Sequence, residues 1–214
     1  MIEEIINDII NYDPEEVVKK CKKALESGVD PLKIIEEGIA KALKTVGDGY
    51  EKGELFLVHL ISAASAAEKG LKDVIEPELS KRKINRKVLG KVVLGTVEGD
   101  IHDIGKTIVA SLLFASGFTV YDLGKDVPVK EFIKKVKEVD ADIVAASALL
   151  STTMPVQKDL IEALKAEGLR EKVKVMVGGA PVTEEWAEEI GADGYAEDAL
   201  GAVDEAIGFM KGKD

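Results

Sequence analysis

Cysteine is almost absent from this chain: Cys21 stands alone. A lone thiol excludes an internal disulfide and fits a reducing cytoplasm. Basic charge is in deficit. There are 29 Lys and Arg against 40 Asp and Glu, a formal net charge of −11. A surface that acidic repels phosphate backbones, so nucleic acid and anionic membrane are poor partners. No apolar run approaches the ~20 residues that span a bilayer. The opening MIEEIINDII is acidic, whereas a secretory leader starts basic. These features predict a cytoplasmic protein. Complete nucleotide-binding glycine motifs are missing too: no G-x-G-x-x-G occurs, and Gly105-Lys106-Thr107 has Asp100 where a G-x-x-x-x-G-K-[ST] loop needs its first glycine. Histidine is scarce, with only His59 and His102.

What remains is an ordinary globular balance, 46% apolar and 32% charged residues. A chain of 214 residues suffices for one large domain or two small ones. Two halves follow different patterns. Residues 1–87 read as a four-helix bundle. Asp13-Pro14 and Asp30-Pro31 each pair a capping aspartate with proline at the first helical position. Val17, Val18, Cys21 and Leu25 follow at helical spacing, and Gly28 stops that helix. Leu32, Ile35, Ile39 and Leu43 form the next stripe, which Gly53 interrupts. Glu54 to Ile75 reads as another long helix, and the basic stretch LSKRKINRK (79–87) as a solvated linker.

From residue 88 to 214 the pattern becomes strand, loop, helix, repeated. Strands are expected at 91–97, 118–124, 142–150 and 172–179, with a short fifth at ADGYAE. Helices are expected at 106–116, 129–139, 154–166, 183–191 (Thr183 as its cap) and 199–211. Five strands alternating with five helices predict an α/β doubly wound, Rossmann- or flavodoxin-like domain with a five-stranded parallel sheet. Such domains bind ligands at the carboxyl ends of their strands. Trp186 and Tyr195 read as packing residues and His59 as a partly exposed cap-helix residue.

The loop GTVEGDIHDIG (95–105) lies at such an end. Glu98, Asp100 and Asp103 would repel a phosphate. His102 could ligate a metal, with Asp100 holding its other ring nitrogen. No second protein ligand stands nearby in sequence. A bare zinc or iron site needs three or four ligands, so one suffices only where a macrocycle supplies the others.

The segment D-x-H-x-x-G, as Asp100, His102 and Gly105, resembles the signature of the cobalamin-binding domain of methionine synthase and its relatives. The other parts follow at matching distances. There are 41 residues between Gly105 and the S-x-L of Ser147 and Leu149, and 28 between Leu149 and the pair Gly178-Gly179. In the first half, GELFLVHLISAASAAEKGL (53–71) is similar to the G-x-x-F-L-P-E/Q-L segment of the family's four-helix cap. Val58 stands in place of proline and His59 in place of glutamate or glutamine. The size and layout most resemble the small corrinoid proteins of methylamine, methanol and other one-carbon methyltransferase systems.

The resemblance implies cobalamin, or a related corrinoid, bound base-off with His102 as the lower cobalt ligand. Asp100 would accept the hydrogen bond from the second imidazole nitrogen, and Thr153 would bond Asp100. Asp103, Gly105, Ser147, Leu149, Gly178 and Gly179 would line the lower slot, with Phe56 and Leu57 in an apolar ceiling. It further implies a methyl carrier between two partners. One is a substrate:corrinoid methyltransferase, with methylamines as the first expectation. The other is a corrinoid:thiol or corrinoid:folate methyltransferase acting on coenzyme M or tetrahydrofolate. A reductive activase would be a third partner. A cobalamin-dependent light sensor or regulator, or a subunit of an adenosylcobalamin mutase, are the alternatives the same loop leaves open.

Overall fold

The computed structural model describes residues 1–84, 86 and 88–211. The chain divides into two compact units, Met1–Lys87 and Val88–Asp214.

Four helices build the first unit among its described residues. They are α1 (Ile2–Ile10), α2 (Pro14–Glu26), α3 (residues 31–51) and α4 (residues 57–82). Both expected caps form. The Asp13 carboxylate accepts the Glu16 amide at 3.1 Å, and that of Asp30 accepts the Leu32 amide at 2.8 Å. Each of the two long helices contains a π-helical stretch, Ile34–Ile39 in α3 and Leu71–Ile75 in α4. Ile5, Ile9, Val17, Cys21, Ile34, Leu71 and Ile75 are fully or almost fully buried. At Gly70 a β-carbon would lie 2.6 Å from Val17 Cγ1, so α2 and α4 approach closely there.

The last helix differs from the sequence expectation at both ends. It begins at Leu57 rather than Glu54, because Gly53 turns through the left-handed region (φ +73°). It also runs through Ile75 and past Pro77 to Arg82. A proline inside a helix lacks the amide for its i−4 bond. Here the wider π turn just before it absorbs the mismatch. The first four residues of the expected linker are therefore helical. Leu79 is buried, and Arg82 Nε meets Glu78 Oε1 at 2.6 Å. Asn85 and Lys87 of that linker lie outside the described residues.

The second unit is a five-stranded, all-parallel sheet of order β2-β1-β3-β4-β5. Its strands are β1 (Lys91–Thr96), β2 (Thr119–Asp122), β3 (Ile143–Ser147), β4 (Lys174–Gly178) and β5 (Gly194–Ala196). Its helices are α5 (Ile104–Ala115), α6 (Val129–Val139), α7 (Pro155–Ala166), α8 (Glu184–Ile190) and α9 (Ala199–Met210). Helices α5 and α9 pack together, and α6, α7 and α8 form the other group. The doubly wound expectation holds. Trp186 and Tyr195 pack against the core, as read from sequence.

Two differences shape the functional end. Strand β3 stops at Ser147 and leaves Leu149 and Leu150 in a loop, 39% and 42% exposed, where a strand to residue 150 was expected. Helix α5 starts at Ile104, two residues early, with Asp103 at the cap position. Strand order reverses between β1 and β3, whose register pairs Thr96 with Ser147. The loops that follow these strands therefore leave the sheet side by side, at its topological switch point.

Candidate corrinoid site

Asp100 anchors the loop after β1. Its side chain is fully buried and receives five hydrogen bonds. The His102 amide donates to Oδ1 at 3.0 Å, and the His102 ring presents Nδ1 to the same oxygen at 2.8 Å. On the other side, the amides of Leu149 and Leu150 donate to Oδ2 at 2.7 and 3.2 Å, and the Thr153 hydroxyl lies at 2.8 Å. Thus the loop after β3, whose residues 149 and 150 were expected as strand, supplies two of the five bonds to the carboxylate through those residues and a third through Thr153. Burial alone would raise the pKa of Asp100. The bonds from His102, Leu149 and Thr153 outweigh it and hold the carboxyl well below the usual carboxylate range.

An ionised carboxylate only accepts, so Nδ1 of His102 carries the proton. In the neutral ring Nε2 then keeps its lone pair, as a metal ligand requires. The His102 side chain is 47% exposed. Thr96 Oγ1 donates to the His102 carbonyl at 3.0 Å and ties the loop back to β1. Asp103 forms an ion pair with Lys125 at 3.5 Å and offers no side-chain cap to α5. Among the described residues, no cluster of three His, Cys, Asp or Glu is placed to chelate a bare ion.

Ser147, Gly178 and Gly179, expected to line the lower slot, stand at the same edge of the sheet. The Ser147 carbonyl accepts the Val97 amide at 3.0 Å, and the Gly178 carbonyl accepts the Ala148 amide at 3.1 Å. Gly179 has φ +123°, and a β-carbon there would fall 1.9 Å from the Ala148 carbonyl oxygen. Only glycine lets the ends of β3 and β4 meet this closely. Gly105 is different: a β-carbon there would touch nothing within 4 Å. The fold itself does not require glycine at 105.

Several residues escaped the sequence reading. Ile101 and Ile104 are 65% and 79% exposed on either side of His102. Two isoleucines in a loop of glycine and aspartate were the available signal. The backbone amide of Leu150 had none, because amide direction is not written in residue type.

Phe56 and Leu57 belong to the first unit. Phe56 is 70% exposed at the N-terminus of α4, and Val58 beside it is 61% exposed. His59 Nδ1 accepts the Phe56 amide at 2.9 Å. That is the bond a glutamate or glutamine makes at this position of a capping box. The replacement at residue 59 therefore keeps the cap.

The family described as B12 binding domain matches residues 90–204, and a second family of the same description matches residues 1–73. Trimethylamine corrinoid protein 1 of Methanosarcina acetivorans is 51% identical over 91% of this chain and 90% of its own length. The chain belongs to the B12-binding corrinoid proteins. Dimethylamine corrinoid protein 2 of the same organism is 47% identical to this corrinoid protein, over all of it and 97% of the relative. Among solved structures, the methanol:cobalamin methyltransferase complex of Methanosarcina barkeri matches 99% of this chain and 80% of its own, with TM-score 0.84 and 32% identity.

The residues present fit a corrinoid. One imidazole has its outer nitrogen turned from Asp100, exposed apolar side chains stand at 101 and 104 in its own loop and at 149 and 150 in the loop whose amides hold Asp100, and the space over Gly105 is open. No helix among the described residues is long and apolar enough to cross a membrane.

Proposed function

We propose that this chain carries methyl groups for a methylamine methyltransferase system, on a corrinoid held base-off with His102 as the lower ligand. The observation that carries the proposal is the Asp100–His102 pair. An aspartate with both oxygens fully engaged fixes the imidazole tautomer and its orientation together. When bound, the corrinoid supplies a cobalt centre that accepts and gives up a methyl group.

The chain's own residues do the rest. His102 ligates through Nε2. With Nε2 unligated, the ring could take a proton there, and the Asp100 carboxylate against Nδ1 would stabilise the imidazolium. Leu149, Leu150 and Thr153 keep Asp100 from following His102 outward, so the ring returns to one position. Ile101, Ile104, Leu149 and Leu150 offer an apolar seat that excludes water from the lower face. Gly105, Ser147, Gly178 and Gly179 form the slot for the displaced nucleotide tail, and Asp103 borders it. Phe56 and Leu57 shield the upper face. The first unit (residues 1–87) acts as the cap and the second (residues 88–214) as the cofactor domain.

The relatives named for trimethylamine and dimethylamine support a methylamine as the methyl source. The partners are then a methylamine:corrinoid methyltransferase, a second methyltransferase acting on coenzyme M or tetrahydrofolate, and a reductive activase, all in the cytoplasm. The test is a visible absorption spectrum of the full chain loaded with hydroxocobalamin and desalted, beside His102→Ala. A base-off, histidine-on spectrum that changes in the variant supports the proposal. Identical spectra for the two proteins, or no retained cobalamin in either, refute it.

A further inference from the structure

The loop after β2, LGKDVP (residues 123–128), grips the His102 loop from the side opposite β3. Four hydrogen bonds make this grip. The Thr96 amide donates to the Gly124 carbonyl at 2.9 Å, and the Val127 amide donates to the Thr96 carbonyl at 3.0 Å. The Asp126 amide donates to the Asp100 carbonyl at 2.9 Å. The Gly99 amide donates to Asp126 Oδ1 at 2.7 Å. The last two make Asp126 a two-point clamp on the main chain around Asp100. Its amide holds the carbonyl after the Asp100 Cα, and its carboxylate holds the amide of the residue before.

Three of these bonds are main chain to main chain, and any residue could make them. The bond from Gly99 depends on the residue type at 126. Asp126 is also left-handed, at φ +55°, facing Gly99 at φ +83°. A non-glycine residue pays for that conformation unless a short polar side chain compensates locally. Two independent requirements thus meet at 126: a short acceptor, and tolerance of positive φ. Aspartate and asparagine satisfy both.

We propose that Asp126 is a positioning residue for the lower ligand: by clamping residues 99 and 100 it sets the direction in which Asp100 presents the His102 ring, without touching either side chain. This inference rests on the corrinoid reading above. The β3 side of the site fixes the carboxylate of Asp100, and Asp126 fixes its backbone. The Asp100 amide also donates to the Val97 carbonyl at 3.1 Å, so Asp126 adds to a main-chain frame that β1 begins.

The test uses the full chain, loaded with cob(II)alamin, as wild type, His102→Ala, Asp126→Asn, Asp126→Gly and Asp126→Ala. Electron paramagnetic resonance reads the nitrogen splitting that an axial histidine imposes on the cobalt signal. Binding titrations give affinity, and thermal midpoints of the unloaded proteins report folding separately. Partners behind a metal-ligating histidine typically change affinity about 10- to 100-fold. Asp126→Asn is expected to keep the splitting and an affinity near wild type. Asp126→Gly removes the acceptor and relieves the backbone, and should weaken binding about 10-fold with a broadened or partial nitrogen signal. Asp126→Ala should do the same and also lower the thermal midpoint. If Asp126→Gly binds and splits like wild type, position 126 matters only for its backbone shape and the proposal is overturned. That comparison decides even if Asp126→Ala does not fold. If wild type shows no nitrogen splitting, the His102 ligation itself is wrong, a failure distinct from a silent Asp126→Gly.

Discussion

Asp100→Asn tests the centre of the site with one atom exchanged. The change keeps shape, removes the charge and turns one acceptor into a donor. The amide can settle in two ways. With its oxygen toward His102, its NH₂ faces the Leu149 and Leu150 amides, which now donate to Oδ2 at 2.7 and 3.2 Å. Two part-buried donors are then orphaned, at up to about 1–3 kcal/mol each. With its NH₂ toward His102, the ring can switch tautomer and accept through Nδ1. Only the His102 amide is orphaned, but Nε2 then carries the proton and cannot ligate.

The second arrangement is cheaper. It costs about 1–3 kcal/mol for the orphan plus about 1 kcal/mol for lost charge-assisted bonds, or about 2–4 kcal/mol in all. Urea unfolding of the unloaded chain reads this directly. Trp186 is the only tryptophan and packs in the second unit, so its fluorescence reports that unit. The difference has a pH signature. The folded-state pKa of Asp100 is depressed, so its stabilisation is complete above the unfolded value of about 4 and drains as pH falls below it. Wild type and Asp100→Asn should therefore converge in acid. The same variant should bind hydroxocobalamin about 10- to 100-fold more weakly, because its favoured tautomer is wrong. A loss under about 0.5 kcal/mol at neutral pH, with unchanged cobalamin affinity, would refute the reasoning.

The two slot glycines should separate. Gly179→Ala must place a β-carbon against the Ala148 carbonyl at positive φ, so the unloaded protein should lose about 2–5 kcal/mol by urea unfolding. Gly105→Ala meets no protein atom and should leave that stability unchanged or slightly raised, while a cobalamin titration shows weaker binding. The Cys21 thiol is buried and pushed up to about 12, so iodoacetamide at pH 8 should label it only after denaturant is added, as read by mass. His59→Gln should preserve the start of α4, whereas His59→Ala should lose about 1 kcal/mol in thermal unfolding of the first unit, through the orphaned Phe56 amide.

The sequence alone determined the two-part plan and the strand–helix alternation of the second part, because period and capping residues are local. Asp13-Pro14, Asp30-Pro31 and Thr183 mark helix starts through bonds that reach only two or three residues. The D-x-H-x-x-G spacing likewise put Asp100 beside His102, since only Ile101 separates them. Tertiary structure decided what holds that pair. Leu149, Leu150 and Thr153 lie 49 to 53 residues from Asp100 and reach it because β1 and β3 are neighbours in the sheet. Asp126 reaches Gly99 across 27 residues for the same reason, through β2. It also decided where α4 ends, since a π turn upstream carries the helix past Pro77. Sequence names the acceptor. The donors that fill it are backbone amides, identical in every residue but proline, and only strand order brings them to the carboxylate.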